Sequence, residues 1–164
     1  MDNSISNSET VARILKKDWF DDGKLMHVAF ALRNGETYIS VNCLSSESYE
    51  SDVREFVSTH PDYFFGKKSQ EYCRADLNVG EVRDIRVVLE EKSIDIDVDV
   101  EPRNIHVKSH AGIFTRHNSL NLKLGSTISL EDESVVSTDD ILLKVRLQLL
   151  HKSQCQQVKF ASDI

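Results

Sequence analysis

Glycine and proline are scarce in this 164-residue chain, with six scattered glycines and two prolines. Neither a Walker A loop nor a G-x-G-x-x-G fingerprint can be assembled from them, so nucleotide chemistry by the common routes is not expected, and no cofactor is. Cysteine is as sparse. Cys43, Cys73 and Cys155 are far apart and odd in number, which leaves no disulfide framework and no CxxC metal knuckle. Buried, inert thiols in a reduced cytoplasmic setting are the simplest reading. No apolar run nears the roughly 20 residues that span a bilayer. The start of the chain has neither the basic nor the apolar region of a secretory signal. Positive charge is also in deficit, 20 Lys and Arg against 27 Asp and Glu for a net charge of -7. That argues against nucleic acid as a main partner, because phosphate binding needs a basic face.

What is present is the make-up of an ordinary soluble domain, 40% apolar and 29% charged. Residues 1–9 are polar and Ser/Asn-rich and read as a flexible tail; residues 10–164 read as a single domain. Residues 94–117 organise it. Ile94, Ile96, Val98 and Val100 alternate with Asp95, Asp97, Asp99 and Glu101, which predicts a strand with one aliphatic and one acidic face, ended by Pro102. The acids imitate a calcium loop only briefly, because Val100 stands where such a loop requires glycine. They are expected to face solvent or to meet basic residues of a neighbour.

Other strands are expected over Thr37–Cys43 after the Asn34-Gly35 turn, over Glu71–Val79, over Arg86–Glu90 as a hairpin with 94–100, over 119–124 and over Thr127–Leu130. Val11–Lys17 and Met26–Arg33 fit either a strand or a short helix. Val79–Ile85 reads as a turn and connector, and 131–134 as an acidic linker. Ser45–Thr59 predicts a helix with Tyr49, Val53, Phe56 and Val57 on one face and Ser46 or Ser48 as cap, stopped by His60-Pro61. Residues 138–152 alternate as a strand would, yet their length, the Thr138-Asp139-Asp140 start and the basic end favour a helix. The sum is an α+β fold, a mostly antiparallel twisted sheet with one or two helices packed on one face.

The titratable side chains gather after Pro102. His106 and His110 share a face, the spacing a ligand pair needs, but no HExxH or nearby Cys completes a zinc site, and no metal is expected. His110 suits acid-base work, with an acid such as Glu36 or Asp18 to orient it. Ser109 precedes it and points the other way on a strand, which opposes a Ser-His pair. Trp19 and Phe20 read first as core anchors. Tyr63-Phe64-Phe65 beside Lys67 and Lys68 offers a weak base-stacking patch.

Three sets of stretches carry a resemblance. They are Asp18–Leu25 with Ala29–Arg33, Glu36 and Ser40–Asn42, then Leu77–Arg83, then Asn104–His106 with His110–Ile113. They resemble a group of small bacterial proteins without an established activity. The resemblance implies no reaction, but it implies that Trp19, Arg33, Glu36, Asn42 and His110 belong to one site. The leading expectation is a non-catalytic interaction or accessory module of a bacterial cytoplasmic system, with a protein partner and with Trp19, Asn42 and His106 as binding residues. The rival is a small hydrolase or transferase using His110, Glu36 and Arg33 in a pocket between sheet and helix. A third reading is nucleic-acid binding through Lys67, Lys68 and Arg74.

Overall fold

In β1 (Thr10–Leu15), Val11 and Leu15 point to one side and Ala12 and Ile14 to the other, and all four are buried. A strand apolar on both faces must have protein above and below it. The computed structural model describes residues 4–65, 71–103 and 107–160. After β1 come a 3-10 turn at Lys17–Trp19 and a hairpin of β2 (Phe20–Asp21) and β3 (Lys24–Leu25). Asp22 and Gly23 close that hairpin with φ of 49° and 78°, which a glycine accepts without strain. A 3-10 turn at His27–Phe30 leads to β4 (Tyr38–Cys43) and α1 (Tyr49–Thr59), and another at Pro61–Tyr63 follows the helix. Then come β5 (Glu71–Asn78), α2 (Val79–Arg83), β6 (Val87–Leu89), β7 (Lys92–Ile94), β8 (Asp97–Pro102) and β9 (His110–His117). The chain finishes with β10 (Leu120–Asn121), β11 (Thr127–Ser129), β12 (Val135–Ser137), α3 (Thr138–Lys152) and β13 (Gln154–Lys159).

Seven strands make one antiparallel sheet in the order β8-β9-β4-β1-β5-β13, with β10 following β4 along the same edge of β9. On one face α3 lays Ile141, Leu142, Val145 and Leu149 against Val11, Leu15, Val41 and Leu77, joined by Val79 and Val82 of α2. On the other, α1 lays Tyr49, Val53 and Val57 against Ala12, Ile14 and Tyr72, with Phe160 closing the end. The fold is α+β as expected, and its helices cover both faces.

Local differences from the expected elements have identifiable causes. Residues 138–152 are a helix, capped by the Ser137 hydroxyl on the Asp139 amide; a helical stripe, not the alternation, reaches the core. Residues 94–100 are not one strand, because β7 pairs back to β6 and β8 then joins β9, yet Ile94, Ile96, Val98 and Val100 are all buried. Arg83 bonds Asp99, and Arg116 grips Glu101 with two bonds of 2.7 Å, so two of the acids do meet neighbouring bases. The 131–134 linker is the turn of the β11–β12 hairpin, and only Leu120–Asn121 of the 119–124 stretch is strand. Residues 79–83 form the α2 helix, capped by Asn78. Residues 4–9 do not behave as a tail. Ile5 is buried, and the Asn7 carbonyl accepts from the Gly80 amide and the Asn78 side chain.

Candidate functional site

The two faces of the sheet are covered unequally. α1 lies over β1 and β5, so the polar residues that β4 and β9 turn to that face, Ser40, Asn42 and His110, border an open cleft. One hollow of about 560 Å³ is lined by these three with Ile14, Asp52, Phe56, Val107 and Arg13. A second, of about 480 Å³, holds Lys16, Arg33, Glu36, Tyr38, His60 and Asp62. They adjoin over a shared sill of Arg13, Ser40, Phe56, Thr59 and Tyr63.

The sill exists because two strands part. β1 pairs with β4 only at Val11–Cys43 and Ala12–Asn42, whereas its pairing with β5 runs on to Leu15. Arg13 stands where the ladder opens. Its Nη1 donates to the Ser40 carbonyl at 2.9 Å and its Nε to the Ala29 carbonyl at 3.0 Å, side-chain bonds in place of ladder bonds. Trp19 covers one face of the guanidinium at 4.8 Å and meets Tyr63 edge-on, and Lys16 sits over both rings. Burial pulls the Arg13 pKa down to about 10, against the opposing pull of Tyr63 and Glu36. Among the described residues no carboxylate pairs with it, and Nη2 carries no hydrogen bond. A half-buried cation without a paired carboxylate, at the floor of a cleft, is a candidate for binding an anionic group.

A polar lock holds the helix side of the cleft. Asn42 donates to the Ser109 hydroxyl at 2.9 Å, and that hydroxyl donates to Asp52 at 2.7 Å. The Ser109 amide and the Ser48 hydroxyl converge on the same Asp52 oxygen. Burial raises the Asp52 pKa, but these donors outweigh it and hold the carboxyl below its ordinary range. Ser48, expected as a helix cap, spends its hydroxyl on this lock and caps no amide. Ser109 is fully buried and committed here, so it is not a nucleophile. Opposite, Gly112 gives its space to the Tyr38 ring, since a Cβ there would come within 2.7 Å of it.

The residues singled out from the sequence fall as follows. Asn42 and His110 line the first hollow, Arg33 and Glu36 the second, and Trp19 stacks on the arginine between them. His110 shares a 3.2 Å hydrogen bond with the Ser40 hydroxyl. Glu36 accepts from the Arg33 amide at 2.6 Å and makes no hydrogen bond to His110. His106, Lys67 and Lys68 lie outside the described residues. Arg74 is held by Asp76 under α1, against the Tyr49 ring. Among the described residues no group of three or more His, Cys, Asp or Glu could hold a metal. Arg13 was missed. Its signal was available: it takes the middle position of the Val11, Arg13, Leu15 set, a cation among residues that face the core.

Fold and cleft together define an α+β protein with one closed and one open sheet face. Comparison with protein-family models, curated proteins and solved structures finds no match to this chain. No described helix is long and apolar enough to cross a membrane.

Proposed function

We propose that the protein is a non-catalytic interaction module of a bacterial cytoplasmic system, and that a segment of a protein partner lies in the cleft between α1 and the sheet. One observation carries this reading: two adjoining, half-open hollows of about 560 and 480 Å³ share a sill, which gives more room than a single enclosed pocket. Enclosed, mostly apolar pockets suit small ligands, whereas open grooves suit extended segments. Ile14, Phe56, Tyr63 and Val107 supply apolar wall, and Ser40, Asn42 and Thr59 supply hydrogen-bonding groups along it. The rival hydrolase or transferase reading pairs His110 with Glu36, whose Oε1 accepts from the Arg33 amide in its own loop.

The test is affinity capture from the native host with the wild-type chain beside Thr59→Trp. Thr59 is exposed and ends α1 on the sill, so the indole fills the cleft without entering the core. A protein captured stoichiometrically by the wild type and lost with Thr59→Trp, at unchanged melting temperature, is the expected result. Capture unaffected by the blocked cleft contradicts it.

A further inference from the structure

Arg13 identifies the chemistry of what enters the cleft, an inference that rests on the interaction-module reading above. We propose that the partner segment is an extended acidic peptide, and that an Asp or Glu side chain in its middle seats on Arg13.

The guanidinium is prearranged for such a ligand. Two carbonyls and the Trp19 ring hold it in place, which leaves Nη2 with no partner among the described residues. A guanidinium whose orientation is already set loses little entropy on binding a carboxylate, and its fork matches the carboxylate geometry. The favourable charge lies in the second hollow, where Arg13, Lys16 and Arg33 outnumber Glu36 and Asp62 in a chain whose net charge is -7, whereas Asp52 and Glu55 border the first. Of the acids along the cleft, Asp52 is held by three donors and Glu36 by the Arg33 amide, while Glu55 and Asp62 stand at the exposed rim. Geometry selects a side-chain carboxylate over a terminal one. Cleft continues on both sides of Arg13, so a segment can cross the sill and fill both hollows. A chain terminus would leave one of them empty.

The experiment selects random nine-residue peptides displayed on phage against the immobilised full-length chain, with Thr59→Trp as counter-selection. The enriched peptide is then synthesised with its acidic residue intact and as the Gln or Asn analogue. The expected result is one acidic position flanked by apolar residues. Neutralising it should weaken binding to the wild type by roughly 10- to 100-fold, the size of a lost charged hydrogen bond. The same replacement should make little difference on Arg13→Gln, and a small one on Arg13→Lys, which keeps charge without the fork. Peptides that need the open cleft but show no acidic position, or lose equally on wild type and Arg13→Gln, overturn this inference and leave the module reading standing. Absence of any cleft-dependent peptide overturns both. The wild-type comparison of the two peptides stands even where an Arg13 variant fails to fold.

Discussion

The two faces of the sheet are made by alternate residues of the same strands, and they solve opposite problems. The α3 face is closed: Val11, Leu15, Val41, Leu77, Ile141 and Leu149 are each at most 1% exposed. The α1 face is closed over β1 and β5 and open over β4 and β9, where a glycine, a serine lock and the half-buried Arg13 in the gap between β1 and β4 stand in place of aliphatic packing. Apolar burial is non-directional and stabilises in proportion to area, so the first face holds the fold together. Directed polar groups beside an unfilled cleft add little to that. What they add is a surface with a defined chemistry.

Substitutions that separate the faces test this, starting with the largest expected effect. Leu149→Ala opens a cavity against the sheet and should cost about 2–5 kcal/mol in denaturant unfolding. A loss below about 1 kcal/mol would mean the α3 face is not the stabilising one. Gly112→Ala forces the Tyr38 ring away from β9 and should cost about 1–3 kcal/mol, with a changed near-ultraviolet signal from the tyrosine. An unchanged signal would remove the close contact from the description.

Asp52→Asn should cost about 1 kcal/mol at neutral pH by weakening the bonds from Ser48 and Ser109. Its pH dependence has a definite sign. The folded-state pKa lies below the ordinary carboxylate value, so the Asp52 contribution is fully present above that value and fades as pH falls through the lowered one. Wild type and Asp52→Asn should therefore converge in acid, as followed by unfolding across pH 2–6. A gap that widens in acid would reverse the assignment. Phe56→Ala should have the smallest effect on stability, below about 1 kcal/mol, because Phe56 is 37% exposed on the cleft wall. The same variant should still weaken peptide binding measured by fluorescence anisotropy. Unweakened binding would take the wall out of the site.

The apolar packing of both faces was more legible from sequence than the cleft. The alternation around Ile94–Val100, the Tyr49, Val53, Val57 stripe and the Asn34-Gly35 turn all follow from local periodicity and turn chemistry, and each has its counterpart in the structure. Short hairpins were less legible. The turn at Asn118-Ser119 uses two non-glycine residues at positive φ, and the 131–134 turn closes on an Asp132 side chain, so neither carries a glycine signal. The cleft was legible as a list of residues and not as a mechanism. Asn42, His110, Arg33 and Glu36 come to two adjoining hollows, but the Ser109–Asp52 bond spans 57 residues and the parting of β1 from β4 is a matter of register. Neither leaves a periodic trace. Arg13 did leave one, as a cation at a core-facing position.

The most direct test of the contrast between the faces is backbone amide chemical-shift mapping of the whole chain during titration with the enriched acidic peptide. The expected perturbations cluster at Arg13, Ser40, Asn42, Phe56, Thr59 and His110, with the α3 residues Ile141–Leu149 unmoved. Perturbations centred on α3, or spread evenly over both faces, would contradict a cleft built for binding on one side and a core built for stability on the other.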